Sequence, residues 1–252
     1  MQHMTTRLLA LGDSAWTVEF GTDISIELNA QVMAFANRIA QARLDDPLFA
    51  AVTDVVPTFR SLSVHFSPQA TDADALAQQL LVLAQNSQQK SIEGKHWRLP
   101  ACFDPSFAPD LPAWAQAKHI QEDQLIQRML DTQFRIYMIG FLPGFPYLGG
   151  LAPELAMPRL ASPRQRVPAN SLAIAGEMCA VYPWESPGGW NLIGKTPVQL
   201  FDLKKIDQPA MLKAGDTVSW YAIDRVAYED LFSQCKSGEL PREAFLASGE
   251  AR

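Results

Sequence analysis

Closely spaced prolines and glycines cut the second half of the chain into short apolar runs, and this constrains the fold more than any other feature. Residues 172–175, 198–201 and 217–222 are three such runs, and turn-forming residues separate them. Proline cannot continue a helix, and glycine weakens one. Short apolar runs between turns are typical of a compact β-barrel. The region after about residue 134 is therefore predicted to be such a barrel.

The first 90 residues alternate between strand-like and helix-like patterns. Leu62, Val64 and Phe66 alternate with polar residues, which predicts a strand with one buried face. Val32, Phe35 and Ile39 recur at the spacing of one helix face. The predicted elements are strands at 7–11 and 16–20 joined by a turn, a helix at 28–43, strands at 52–56 and 61–66, and a helix capped by Thr71 or Asp72. This order favours a small sandwich of helices on a sheet.

These patterns predict an α+β fold with two domains and a tail. Residues 1–90 form the small N-terminal α/β sandwich, residues 91–235 the barrel domain, and residues 236–252 a loose C-terminal tail that follows a peripheral helix. Within the second domain, residues 97–103 are predicted to form a strand, and three prolines in 104–112 interrupt regular structure.

Charge and hydropathy exclude several classes of function. The chain has 252 residues, a net charge of −6 and no visible basic cluster that would attract nucleic acid. Neither a signal peptide nor an apolar stretch of membrane-spanning length is visible. We therefore expect a cytoplasmic protein with no nucleic-acid or membrane partner.

The cysteines and histidines show no pattern of a disulfide framework or a metal site. Cys102, Cys179 and Cys235 are far apart and odd in number. The four histidines lack paired spacing. We expect free thiols and no structural metal.

Residues 140–150 mix large aromatic side chains with residues that fix or free the backbone. Such a loop can be rigid and still present rings, such as that of Tyr147, to a ligand. Alternatively, the rings plug one end of the barrel, and the spacing favours neither interpretation. The residues expected to support the site are Gly140, Phe141, Pro143, Gly144 and Phe145.

Residues 158–168 hold three arginines on proline-stiffened backbone: Arg159, Arg164 and Arg166. Guanidinium groups match the geometry of carboxylates and phosphates, so Arg164 and Arg166 are candidates for an anion site. The alternative is a set of solvated or ion-paired surface arginines.

Residues 186–196 contain Gly188 and Gly189, which let backbone approach a ligand, and Trp190, which offers a stacking face. Lys195 lies in a Gly-Lys-Thr sequence, but Pro197 argues against the helix that a phosphate loop requires. We therefore assign Trp190 and Lys195 to substrate binding rather than to a phosphate loop.

No catalytic residue stands out. A Gly-x-Ser-x-Gly elbow is missing from the sequence, and no histidine falls within these three segments. Cys179 shows no local sign of activation and is interpreted as a small buried hydrophobe.

The three segments together resemble the signature of the family of 5-oxoprolinase B subunits, also called KipI-like or allophanate hydrolase subunit 1, of the carboxyltransferase subdomain C and D type. The matching stretches are 140–148, 158–168 and 186–194. The resemblance implies a C-terminal cyclophilin-like β-barrel. It also implies a KipA-like 5-oxoprolinase C subunit for a partner, an A subunit in addition, and ATP-dependent hydrolysis of 5-oxoproline to glutamate by the complex, with ATP as co-substrate. On this basis, a small carboxylate or lactam would bind near the interface with the partner.

Two other functions remain open within the same family. One is a KipI-like regulator that inhibits a sensor histidine kinase without turnover. The other is a carboxyltransferase component related to urea carboxylase, which would need a biotin-carrying partner. Three departures from the family pattern bear on this choice: Met129 replaces a histidine, Asn170 a glycine, and Glu177 a neutral residue.

Overall fold

The computed structural model describes residues 6–85 and 94–247. The chain divides into two compact units, residues 1–93 and 94–252. Within the described ranges, no helix combines the length and apolar character needed to cross a bilayer.

The first unit is an antiparallel four-stranded sheet with two helices. Its sheet order is β1-β2-β4-β3. The elements are β1 (Arg7–Ala10), β2 (Ala15–Glu19), α1 (Ile26–Asp45), β3 (Val52–Pro57), β4 (Ser61–Phe66) and α2 (Ala73–Gln85). The predicted hairpin, both helices and both later strands are confirmed, with boundaries shifted by up to two residues.

Side-chain hydrogen bonds cap the first turn of both helices in this unit. The Ser25 hydroxyl accepts a hydrogen bond from the Leu28 N–H at 3.1 Å and so begins α1. Asp72, one of the two predicted caps, accepts from the backbone of Asp74 and Ala75 at 3.0 Å. The polar stretch 85–90 was predicted to end the second helix; the described part of α2 runs to Gln85, and residues 86–90 lie outside the described residues.

The second unit is a closed seven-stranded barrel with three helices and a separate strand pair. Its barrel order is β10-β7-β6-β13-β5-β12-β9, and β8 pairs with β11. The elements are β5 (His96–Cys102), α3 (Leu111–Lys118), α4 (Glu122–Asp131), β6 (Phe134–Ile139), β7 (Pro146–Gly149), β8 (Arg164–Val167), β9 (Ser171–Ala175), β10 (Met178–Tyr182), β11 (Ser186–Gly188), β12 (Asn191–Lys195), β13 (Thr217–Ile223) and α5 (Arg225–Ser237). The predicted mixed fold with a C-terminal barrel is confirmed.

The prediction of a strand at 198–201 is wrong. Only Phe201 in this segment makes a bridge, with Ala210. Val198 and Leu200 are nevertheless buried in the barrel core. The apolar run therefore predicted burial correctly, but the segment is buried without forming a regular strand.

The chain after α5 is packed rather than forming the loose tail predicted from the sequence. Phe245 is buried, and Leu246 bridges Trp97 at the start of β5. The Ala247 N–H donates to the His96 carbonyl at 3.0 Å. Residues 248–252 lie outside the described residues.

Candidate functional site: an aromatic cluster with arginines at the barrel

Five aromatic rings meet near β7, the end of β10 and the residue that precedes β12. Phe145 is buried at their centre. Its ring centroid lies 4.9 Å from that of Tyr147, 5.1 Å from Tyr182, 5.5 Å from Phe141 and 6.0 Å from Trp190. The rings of Tyr147 and Trp190 also contact edge to face at 5.8 Å. The structure therefore brings together the predicted residues Tyr147 and Trp190.

The loop that carries Phe145 is a tight, internally bonded turn. The Gly140 N–H donates to the Phe145 carbonyl at 3.0 Å, and the Phe145 N–H donates to the Leu142 carbonyl at 3.0 Å. Gly144 has a φ of 78°, which suits glycine, and Phe141 adopts a φ of 68°, which is unusual for a bulky residue. Pro143 accepts a hydrogen bond from the Trp184 indole at 3.2 Å.

The structure separates the roles of Phe145 and Phe141. Phe145 is buried in an apolar cluster with Ala173, Ala180 and Tyr182 that is distinct from the barrel core, so its ring does not plug the barrel, whereas Phe141 keeps 65% of its surface exposed. The strained backbone at Phe141 holds this ring outward, where another molecule can reach it.

Of the neighbouring glycines 188 and 189, Gly188 is the one that close packing requires. A Cβ on Gly188 would overlap the Tyr182 hydroxyl, whereas a Cβ on Gly189 would meet Pro163 at an ordinary 3.6 Å. The Gly189 carbonyl accepts from the Leu160 N–H at 2.7 Å. Gly188 thus lets β11 lie against the aromatic cluster.

Arg164 lies beside the cluster but is already neutralised. Its guanidinium donates to the Asp110 carboxylate at 2.6 Å and reaches the Trp190 carbonyl at 3.5 Å. The second Asp110 oxygen accepts the Leu192 N–H at 2.6 Å. Through these hydrogen bonds, Arg164 and Asp110 connect the backbone at Trp190 and Leu192 to the residue before α3.

Arg166 points away from the cluster. It pairs with Glu185 at 2.7 Å, and 79% of its side chain is exposed. The alternative of an ion-paired surface arginine, left open by the sequence, describes Arg166.

Arg159 carries the charge that the cluster presents to solvent. It is exposed and lies over the Trp190 ring, 5.9 Å from the centroid. Burial raises the pKa of Tyr147, and the charge of Arg159 opposes that rise. Among the described residues, Arg159 forms no ion pair. The sequence placed it in the arginine segment, but only the structure singles it out.

Lys195 lies at the opposite end of β12 from Trp190. Its ammonium group is 5.1 Å from the Phe107 ring centroid and 5.9 Å from that of Tyr228. Burial, and next the charge of Arg225, lowers the pKa of Lys195. The predicted site residues therefore fall into two places on the barrel.

The three cysteines are protonated thiols at neutral pH. Burial raises the pKa of Cys102, Cys179 and Cys235. A raised pKa leaves almost no thiolate to act as a nucleophile. Within residues 6–85 and 94–247, the His, Cys, Asp and Glu side chains form no group of three that could hold a metal ion.

The three departures from the family pattern have separate structural explanations. Met129 is buried with Leu125 in the barrel core, where a thioether packs well. Asn170 has a φ of 64°, a conformation that asparagine tolerates almost as glycine does. Glu177 is exposed at the turn between β9 and β10. Only Glu177 changes the charge of the surface.

Residues 6–212 match the family model of the carboxyltransferase domain, subdomain C and D. The 5-oxoprolinase B subunit of Bacillus subtilis is 34% identical over 229 residues, which cover 86% of this chain and 93% of the relative. The chain belongs to the family of 5-oxoprolinase B subunits. The B subunit of Haemophilus influenzae is 36% identical, over 84% of this chain and 96% of its own length.

The fold of this family member also matches a larger enzyme. The urea carboxylase of Kluyveromyces lactis superposes with a TM-score of 0.78 at 18% identity, over 93% of this chain and 23% of the enzyme. At this identity, the likeness establishes the shared fold.

Proposed function

We propose that this chain is the B subunit of a 5-oxoprolinase-type complex, which hydrolyses 5-oxoproline to glutamate with ATP as co-substrate. In this proposal, a KipA-like C subunit together with an A subunit makes the enzyme complete. The B-subunit relatives support it, since they match this chain over nearly their whole length.

The observation that carries the proposal is the exposed Arg159 guanidinium over Trp190, beside Tyr147. A guanidinium binds a carboxylate through two parallel hydrogen bonds, and 5-oxoproline carries one carboxylate on a small ring. The Trp190 and Tyr147 rings give the substrate ring an apolar surface. Arg159 and the two rings therefore form an acid-binding corner.

In the proposal, the corner binds the substrate and the described residues supply no thiolate nucleophile. Burial raises the pKa of Cys102 and of Cys179, which keeps both thiols protonated. In the proposal, the chemical steps therefore depend on groups from the partner chains. The exposed ring of Phe141, at the edge of the same cluster, offers one contact for such a partner.

The test is a reconstitution assay that measures glutamate formed from 5-oxoproline. We expect ATP-dependent turnover when both partner chains are present, and none when this chain is assayed alone or omitted. Full activity of the chain alone would contradict the proposal. A protein that binds a histidine kinase, slows its autophosphorylation and never releases glutamate would support the regulatory alternative instead.

A further inference from the structure

A second site lies on the barrel unit, away from the aromatic cluster. It is a cleft of about 390 Å³ where the start of β5, the segment 202–209 and the short helical turn at 242–245 meet. Its size suits a small organic ligand. The lining residues are Lys95, Trp97, Lys204, Lys205, Ile206, Asp207, Gln208, Met211, Arg242 and Glu243.

One buried carboxylate fixes the inner wall of this cleft. Asp216 accepts the Trp97 indole N–H at 2.9 Å and the Lys95 N–H at 2.9 Å. It also accepts the Lys213 N–H at 3.0 Å. Trp97 and the backbone of Lys95 are therefore held in place without any ligand.

Arg242 holds the outer wall of the cleft, the segment 202–209, in place. Its guanidinium donates to the carbonyls of Gln208 at 3.0 Å and Pro209 at 3.1 Å. Within the same segment, the Asp202 side chain accepts the Lys204 N–H at 2.9 Å. The segment 202–209 is thus a structured turn, and the cleft is preformed.

Three lysine ammonium groups at the cleft have no ion-pair partner among the described residues. The lining holds four cationic side chains and two carboxylates, those of Asp207 and Glu243, and two further carboxylates lie close by: Asp216, bonded to Trp97, and Asp202, near Arg242. In the described part of the chain, Lys95, Lys204 and Lys205 form no ion pairs. These three ammonium groups are therefore available to attract an anion.

Arg242 adds to this field because it is partly withdrawn from water. Burial lowers the pKa of Arg242, and nearby Asp202 and Glu243 oppose that effect. Its hydrogen bonds go to neutral carbonyls rather than to a carboxylate. Arg242 thus contributes a positive charge to the cleft wall that Asp202 and Glu243 offset in part.

Three apolar side chains and the Gln208 amide complete the lining. Trp97 and Met211 are buried, and Ile206 is 87% exposed at the lip. Covering the exposed isoleucine with the apolar surface of a ligand would favour binding. The cleft therefore combines cations with an apolar surface.

We propose that this cleft binds a small organic dianion, with its carboxylate or phosphate groups at the lysines and its apolar body against Trp97, Met211 and Ile206. Lysine ammonium groups bind both kinds of anion as point charges. The site is separate from the acid-binding corner and does not depend on the proposed function.

Isothermal titration of the full chain at low salt tests this site with three probes: phenyl phosphate, phthalate and the neutral benzyl alcohol. The variant Lys204→Glu/Lys205→Glu reverses two exposed charges of the lining. The matched control, Arg43→Glu/Lys236→Glu, makes the same net change on exposed basic residues outside the cleft. Circular dichroism confirms that both variants are folded.

We expect one or both anions to bind and benzyl alcohol not to bind. The lining variant should weaken anion binding by about tenfold or more, and the control by less than about threefold. The tighter of the two anions identifies the head group. Equal weakening by the two variants, equal binding of benzyl alcohol, or no binding of either anion at millimolar concentration would overturn the proposal.

Discussion

Asp110 and Arg164 form a salt bridge at 2.6 Å that joins the start of α3 to β8. Asp110 also exchanges backbone bonds with Leu192: its carboxylate accepts the Leu192 N–H, and its own N–H donates to the Leu192 carbonyl at 3.1 Å. One carboxylate thus fixes both the predicted anion-binding arginine and the strand that follows Trp190.

We predict that Asp110→Ala destabilises the chain by about 2–3 kcal/mol. The change leaves the Arg164 cation and the Leu192 N–H partly buried without their partner. Urea denaturation measures the loss. Glu185→Ala is the control, because the Arg166–Glu185 pair is mostly exposed, and it should cost no more than about 1 kcal/mol. Equal losses in both variants would show that the buried pair is not special.

The neighbouring glycines 188 and 189 should respond differently to alanine. Gly188→Ala forces a methyl group into the Tyr182 hydroxyl, and we expect a loss of about 1–3 kcal/mol. Gly189→Ala has room for its methyl group and should be nearly neutral, within about 0.5 kcal/mol. Thermal unfolding of the two variants measures both changes in stability. If Gly189→Ala were the more damaging change, the packing role of Gly188 would be wrong.

We predict that the charged Lys195 lowers the free energy of unfolding at neutral pH. Its folded-state pKa lies below the ordinary value of 10.5, so folding disfavours its charged form. Lys195→Met should therefore match or exceed the wild type in free energy of unfolding at pH 7.5.

The pH dependence of this difference follows from linkage. Between the lowered folded pKa and 10.5, the unfolded chain binds a proton that the folded chain does not, so the stability of the wild type rises with pH. The advantage of Lys195→Met should shrink as pH rises through that window, as measured by urea denaturation. An advantage that grows with pH would contradict the assignment.

Much of the fold could be predicted from local patterns. The alternation at 61–66 and the helical spacing of Val32, Phe35 and Ile39 each reported a buried face, and the structure confirms both elements. The segment 198–201 failed because an apolar run records burial but not backbone pairing. The packing of residues 245–247 depends on the bridge between Leu246 and distant Trp97, which no local pattern encodes.

The site was predicted only in part, for a related reason. The aromatic and glycine loops were grouped through the family resemblance, and the structure brings Tyr147 and Trp190 into contact. Which arginine is left without an ion pair depends on carboxylates far away in sequence, Asp110 for Arg164 and Glu185 for Arg166. Lys195 was grouped with Trp190 by proximity in sequence, although the length of β12 separates them.

The most direct test of the acid-binding corner is the KM for 5-oxoproline of the reconstituted complex carrying Arg159→Ala, compared with Arg166→Ala. We predict that losing the Arg159 guanidinium raises KM by about ten- to a hundredfold, the effect of one charged hydrogen-bonding group. Arg166→Ala, which removes an exposed arginine held by Glu185, should leave KM unchanged. An unchanged KM in Arg159→Ala, or an equal rise in both variants, would contradict this account.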